Sequence, residues 1–306
     1  MISLDAVDCR VEEGGQFQLF LNANDDTEYA ASFREKWWLE TSLNFILKYF
    51  PRGSKLIDLG ANVGVFSLPA AAAGLQCLSI EAFPHNFLTL HHAVRINGFK
   101  NIRLVNVAVS DEPGVISMGL WGAYARVNPD GSGIQVPALR GDDVIELEGF
   151  GDADIVKADI EGSELKAFKG MSTFFDKNTK VSILYESNPD ACVRLGYDFR
   201  EVMKLFERRG FDLYFVRAER IYPISSDGIQ PWAVADVYAT RQPVKEVPPF
   251  ALAELTPEII LDGLISDARS PHEFIRRHAI SERAYFTDGI KKHPKYTDFL
   301  AEIGEV

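Results

Sequence analysis

The stretch from Lys55 to Glu81 limits what this chain can fold into more than any other. It reads Lys55-Leu56-Ile57-Asp58-Leu59-Gly60-Ala61-Asn62-Val63-Gly64, continues as an alanine-rich apolar run, and closes on Leu78-Ser79-Ile80-Glu81. Leu56, Ile57 and Leu59 form the short apolar run of a buried parallel strand. Gly60 and Gly64 bracket a tight turn, since glycine takes positive φ and lets a ligand lie against bare backbone. Val63 to Ala73 predicts a helix packed on a sheet, capped by Gly74, with Pro69 imposing a kink or a late start. Gln76 to Ile80 predicts a second strand. The unit is therefore strand, turn, helix, strand, with Asp58 and Glu81 near the carboxyl ends of adjacent strands. Ligands of open α/β sheets bind at that edge.

The glycine spacing bears on which ligand. Dinucleotide binders use G-x-G-x-x-G, which seats a pyrophosphate on the helix N-terminus. Here the turn is Gly60-x-x-x-Gly64, with Asn62 in the middle, and Asp58 before it would repel a phosphate. Glu81 follows by roughly 20 residues, the distance at which such units place the acid for ribose hydroxyls. This pattern suits a cationic, amino-bearing ligand such as S-adenosylmethionine (SAM). By itself the turn also fits any βαβ unit without a cofactor.

Further along, Ile102 to Val107, Ala153 to Asp159, Val181 to Tyr185, Phe211 to Arg217 and Trp232 to Thr240 predict strands, the last two as an antiparallel edge pair. Asp159 and Glu186 place acid at two more strand ends. Asp159 is positioned to act as general base on a substrate hydroxyl, or to orient it. Asp159, Glu161 and Glu186 form the candidate catalytic set. They could also hold a hard divalent ion through oxygen, although no metal site is assigned. Glu161 and Glu164 also fit a plain role as first-turn helix charges.

Ser32 predicts the cap of a helix from Phe33 to Phe50, whose Trp37 and Trp38 fit core packing or a wall over a pocket. His91-His92 read as surface residues, because neighbours on a helix point about 100° apart. The glycine-, asparagine- and proline-bearing loop from Trp121 to Gly133 offers Trp121, Tyr124 and Arg126 as substrate contacts, or is simply a flexible surface loop. Arg241 to Pro249 reads as a linker. Phe250 to Val306 predicts two or three amphipathic helices, with Leu255, Ile259, Ile260 and Leu264 in one stripe and Phe274, Ile275, His278 and Ala279 in another. These helices are expected to pack back on the domain or to pair two subunits.

The 306 residues suffice for a full core, and the net charge of −12 argues against a nucleic-acid or anionic-membrane surface. The three cysteines, Cys9, Cys77 and Cys192, lack disulfide or metal spacing, so a reducing cytoplasm is expected. No basic region marks a signal peptide, and the longest apolar run is too short to span a membrane.

The turn Ile57 to Gly64, Glu81, and the run Val156-Lys157-Ala158-Asp159-Ile160-Glu161-Gly162-Ser163-Glu164 closely resemble the FkbM family of SAM-dependent methyltransferases. The resemblance spans roughly Leu56 to Phe215. It implies an α/β, Rossmann-like class I methyltransferase fold: a seven-stranded, mostly parallel sheet, helices on both faces and an antiparallel last hairpin. Residues 55–240 would be that core, 1–54 an N-terminal cap, and 241–306 a linker and helical extension. It also implies O-methylation of a sugar, glycan or natural product. Carried over by position, Gly60, Ala61, Asn62 and Gly64 would face the methionine part, and Asp58 would bind its amino group directly or through water. Glu81 would take the ribose hydroxyls, Phe83 would lie near the adenine, and Ala108, Val109 or Ser110 would border it. The family's usual E-P pair and helical asparagine are replaced by Ala82 and Ala93, and its leucine-aspartate-aspartate element by Arg140-Gly141-Asp142-Asp143. These departures leave the acceptor harder to infer. An RNA or protein methyltransferase, a non-catalytic SAM-fold scaffold and, more remotely, an NAD-dependent dehydrogenase are the competing expectations.

Overall fold

The computed structural model describes residues 3–12, 15–25, 28–35, 41–119, 125–228 and 230–266. A hairpin of β1 (Leu4–Arg10) and β2 (Gln16–Asn22) precedes α1 (Glu28–Glu35) and α2 (Thr41–Tyr49). Then come β3 (Lys55–Leu59), α3 (Ser67–Ala72), β4 (Gln76–Ile80), α4 (Pro84–Asn97) and β5 (Ile102–Val105). Four short strands follow, β6 (Ala108–Ser110), β7 (Gly114–Gly119), β8 (Arg126–Val127) and β9 (Ile134–Arg140), and lead into α5 (Gly141–Glu148). The second half holds β10 (Ile155–Ala158), α6 (Glu164–Lys169), α7 (Ser172–Lys177), β11 (Ser182–Ser187), α8 (Pro189–Arg194) and α9 (Arg200–Glu207). It ends with β12 (Asp212–Arg217), β13 (Arg220–Ile224), β14 (Ala235–Thr240), β15 (Ala251–Leu252) and α10 (Pro257–Ser266).

The main sheet runs β15-β13-β12-β14-β11-β10-β3-β4-β5. Strands β5, β4, β3, β10 and β11 are parallel, whereas β14 lies antiparallel between β11 and β12. Side chains alternate across the parallel strands, as the two-residue strand period requires. Ile57, Leu59, Leu78, Ile80, Val156, Ala158 and Ile183 enter one core with Phe168, Phe175 and Phe206 from α6, α7 and α9. Leu56, Cys77, Ile155 and Leu184 enter the opposite core with α2, α3, α4 and the N-terminal hairpin. With apolar contacts on both faces, these strands read as near-continuous apolar runs. A smaller sheet, β6-β9-β7-β8, stands beside the carboxyl end of β4 and packs Ala108, Met118, Val136 and Ala138 around Phe83.

Several elements depart from the sequence expectations for local reasons. Among the described residues the sheet has nine strands, two more than expected, because the connection between the expected last pair folds into β13 and the supposed linker supplies β15. The loop expected between Trp121 and Gly133 contains β8, which pairs with β7. Helix α3 starts late, at Ser67, after a turn that brings Gly64 against Leu68 and Leu90. Within the expected helix over Phe33–Phe50 the described residues form the end of α1 and all of α2, and Ser32 lies inside α1 rather than at a cap. Helix α4 begins at Pro84, a residue that suits a first helical turn. The hairpin docks on α4, whose Asn97 side chain exchanges hydrogen bonds with the backbone of Gln18 at 2.7 Å each way. All three cysteines are free and buried. Trp37, Trp38, Trp121, Tyr124 and the Phe274–Ala279 stripe lie outside the described residues.

The segment after β14 is anchored rather than loose. Phe250 is 1% exposed and stands edge-on to Phe45, with ring centres 5.2 Å apart. Val247 and Phe250 exchange backbone hydrogen bonds, and Tyr49 Oη accepts from Lys245 N–H at 2.6 Å. Helix α10 then sets Ile259 and Ile260 on the core and Gly263 against Trp232. No described helix is long and apolar enough to cross a membrane. Phe250→Ala should therefore cost about 3–5 kcal/mol of stability, the usual toll for emptying a buried aromatic site. Chemical denaturation followed by tryptophan fluorescence measures this, and a loss below about 1 kcal/mol would contradict a core role.

Candidate functional site

Two loops at the carboxyl edge of the sheet build the site, and each is held by a buried glutamate. After β3, the N–H groups of Gly60 and Ala61 both donate to Ile80 C=O, at 2.9 and 3.1 Å. Gly60 has φ +78°, and a Cβ there would overlap the carbonyl of Asp159, so the position requires glycine. Asn62 follows with φ +50°, a conformation asparagine tolerates better than most residues. Its N–H donates to Glu81 Oε2 at 2.8 Å, while Phe83 N–H donates to Oε1 at 2.7 Å. The Glu81 carboxylate thus ties the glycine turn to the start of α4. Burial pushes its pKa up to about 7, against the pull of those two donors.

The second loop, Asp159 to Glu164, follows β10. Glu161 has φ +55° and Gly162 φ +96°, and a Cβ on Gly162 would meet the backbone of Ala191 at 2.7 Å. Non-glycine residues held at positive φ cluster at functional sites. The Glu164 side chain folds back so that Oε1 accepts from Ile160 N–H at 3.0 Å and Gly162 N–H at 3.4 Å. It is 2% exposed, so it anchors the loop and is not a solvated first-turn charge. Burial pushes its carboxyl up to about 7. From outside, Arg194 donates to Glu161 C=O at 2.9 Å and Tyr197 Oη to Gly162 C=O at 2.6 Å. Burial and the neighbouring Asp159 raise the Glu161 pKa, while Arg194 and Arg126 oppose the rise.

Between the loops lies a cleft of about 850 Å³, counting the solvent space at its mouth. Gly60, Ala61, Asn62, Glu81, Ala108, Val109, Asp159 and Glu161 line it, with Ile116, Met118 and Val127 of the small sheet as an apolar wall. Four other candidates lie elsewhere. Gly64 is a packing position against Leu68 and Leu90, and Phe83 is buried in the small sheet's core. Ser110 bonds its neighbour Asp111 and does not line the cleft. Asp58 has no exposed surface. Its Oδ2 accepts from Ser67 Oγ at 2.5 Å, and Lys157 Nζ stands 3.6 Å from its Oδ1. Lys157 lines the cleft and Asp58 does not, so Asp58 stands behind Lys157 as seen from that space.

Lys157 was not singled out in the sequence, although a lysine inside Ile155-Val156-Lys157-Ala158 is a signal, because buried lysines are almost always paired. Its ammonium is 3.6 Å from both Asp58 and Asp159 and 4.3 Å from the Phe66 ring centre. A second cavity, of about 1060 Å³ counting the solvent space at its mouth, opens on its other side across the ends of β10, β11, β12 and β14. Phe66, Lys157 and Asp159 line both spaces. Glu186 lines the second one only; burial and the carboxylates of Asp159, Glu161 and Asp236 raise its pKa well above normal. Among the described residues no group of His, Cys, Asp and Glu is placed to hold a metal ion, so Asp159, Glu161 and Glu186 do not form one. His91 and His92 are exposed on α4.

Because Glu164 holds its proton to a higher pH when folded than when unfolded, its contribution to stability is present at low pH and is lost as pH rises from about 4.5 to about 7. Glu164→Gln cannot ionise, and should flatten the fall in melting temperature between pH 5 and 7 by a free energy on the order of 3 kcal/mol. Thermal melts of both proteins across that range test this; parallel curves would refute it.

Residues 58–213 match the model of the methyltransferase FkbM domain. Among solved structures, a TehB-like SAM-dependent methyltransferase from Corynebacterium glutamicum is 15% identical, with 70% of this chain and 96% of that one covered and a TM-score of 0.42. The 16S rRNA N2 G1207 methyltransferase of T. thermophilus is 14% identical over 79% and 51% of the chains, with a TM-score of 0.42. The precorrin-6y C5,15-methyltransferase of Geobacter metallireducens is 11% identical over 66% and 86%, with a TM-score of 0.38. No curated protein sequence matches. With half its length matched and the two glutamate-anchored loops inside the match, the chain belongs to the FkbM methyltransferase family.

Proposed function

We propose that the protein binds SAM in the cleft between the two loops and methylates a hydroxyl on a sugar, glycan or small natural product. The observation that carries this reading is Asp159, a carboxylate 39% exposed, set where the cleft adjoins the second cavity. The cleft's chemistry fits the cofactor. Glu81 offers a carboxylate to a ribose diol, and the small sheet offers an apolar wall to a base. The acids Asp58, Glu81, Asp159 and Glu161 outnumber Lys157, a balance that favours a cation and disfavours a pyrophosphate.

Gly60, Ala61 and Asn62 would hold the methionine portion by their bare backbone, and Ala108 and Val109 would border the adenine. Bound there, SAM would supply a methyl group whose bond to positively charged sulfur breaks, releasing the neutral thioether, as an acceptor oxygen bonds to the carbon. Asp159 accepts the hydrogen bond of the acceptor hydroxyl, sets the oxygen's direction, and takes the proton as the new bond forms. Lys157 keeps the Asp159 carboxylate in place, and Asp58 keeps Lys157 in place. Glu161 borders the same space and contributes charge.

Asp159→Asn should lower turnover about 10²–10⁴-fold while leaving the SAM dissociation constant within a few-fold. Labelled SAM incubated with extract of the source cells, with the product followed by mass spectrometry, gives the first number, and calorimetry the second. Full turnover in the variant would refute the role, and label in RNA or protein would refute the acceptor class. Glu81 must be ionised to accept two hydroxyls. SAM affinity should therefore strengthen as pH rises, by up to about tenfold per unit below 7. Calorimetry in Glu81→Gln should show weaker binding with no such slope.

A further inference from the structure

Among the described residues that line the cleft, Asn86 is a buried polar side chain that the proposed cofactor contacts leave unused. It lies in the first turn of α4, is 6% exposed, and borders the cleft. Three residues before it, Phe83 is packed with Ala108 and Met118 in the core of the small sheet. Residues three apart on a helix are neighbours, so Asn86 stands at the end of the cleft walled by that sheet. The end is otherwise apolar, with Ala82, Val107, Ala108, Ile116 and Met118 supplying its surface. Its shape is set by Asn106, whose side-chain amide donates to the carbonyls of Glu81 and Ala82 at 2.7 and 3.1 Å. Those bonds clamp the segment after β4 onto the end of β5, so Ala82 and Val107 border one slot. Packing does not explain an asparagine at this place. Asparagine is a poor helix former, and burying its amide costs free energy unless the polar atoms find partners. Asn86 is engaged within the protein as well, yet a carboxamide has two donor hydrogens and two acceptor lone pairs, more than one partner uses.

We infer that Asn86 selects the base of the cofactor, by pairing its carboxamide with the amino edge of adenine. The inference rests on the proposed SAM binding and adds the residue that decides which base the ligand carries. An apolar slot accepts any flat ring, and orientation in such sites comes from a few placed polar groups. Adenine presents its 6-amino hydrogens beside a ring-nitrogen acceptor. The C=O and NH2 of an asparagine side chain match that pair with two hydrogen bonds, the pairing by which asparagine reads adenine in nucleic acids. Glu81 is unsuited to this task. Its two oxygens already accept the N–H groups of Asn62 and Phe83, and an ionised carboxylate offers acceptors only, which fits ribose hydroxyls.

The test uses the full chain and two probes, S-adenosylhomocysteine and its 6-deamino analogue, in which hydrogen replaces the amino group and nothing else changes. Calorimetry compares their affinities at about pH 8, above the Glu81 pKa of about 7. Wild-type protein should bind the amino form about tenfold tighter, because the analogue leaves a buried acceptor of Asn86 unpaired. Asn86→Leu, similar in size and apolar, should bring that ratio to about one. Asn86→Ala is read in the same way where the leucine variant does not fold. The ratio is decisive because a merely structural loss weakens both probes equally. A variant that keeps the tenfold ratio while binding both more weakly would therefore overturn the inference. Equal binding of the two probes by wild-type protein would overturn it while leaving the cofactor reading in place. Wild-type protein that binds neither probe would overturn the cofactor reading, and the inference with it.

Discussion

The site depends on one buried ammonium. Lys157 sits on β10 opposite Asp58 of β3 in the parallel register, with Asp159 two residues further along the same face. An unpaired lysine at this depth would cost several kcal/mol of desolvation, and so would an unpaired Asp58. Each therefore needs the other, and Phe66 adds its ring face to the ammonium. Such pairs seldom add net stability compared with a well-packed apolar core. What this one provides is placement: it fixes where Asp159 stands, and thus where two cavities meet.

Around that charge the backbone is bent into conformations that side chains rarely accept. Asn62 and Glu161 both have positive φ and both line the cleft. The strain is offset by the same device in each loop, a buried glutamate that collects two main-chain N–H groups. Glu81 does so for Asn62 and Phe83, Glu164 for Ile160 and Gly162. Unsatisfied buried N–H groups are costly, so the two carboxylates also settle the hydrogen-bond needs of irregular backbone. The loops are shaped before any ligand arrives.

Much of this was legible in the sequence. The β3–α3–β4 unit, the strand ends and the acid set follow from apolar runs broken by glycine, and those signals are local. Gly60, Asn62, Glu81 and Asp159 reach the cleft as their positions implied. What was not legible depends on long-range pairing. Asp58 reads as a free acid at a strand end, and its burial follows from Ser67 and Lys157, the latter 99 residues away. Glu164 reads as a helix-start charge until its side chain turns back under the loop. Phe250 reads as the start of a helix after a proline-rich linker, and only Phe45 shows that it belongs to the core. The pairing of Glu186 with Asp236 likewise appears only once β14 is threaded into the sheet.

That threading has a consequence for assembly. Strand β14 is made after β12 and β13, yet it lies between β11 and β12. As the chain emerges from the ribosome, β3, β4 and β10 and both glutamate-held loops are available well before it. The sheet edge beyond β11 then stays open, exposing apolar strand faces until residues 235–240 insert. Pairings of this kind close late, because loop entropy must be overcome before they gain contacts. A nascent or truncated chain ending before Ala235 would carry the whole cleft but lack Ala235 and Asp236 of the neighbouring cavity. It would also present an unpaired strand edge open to aggregation.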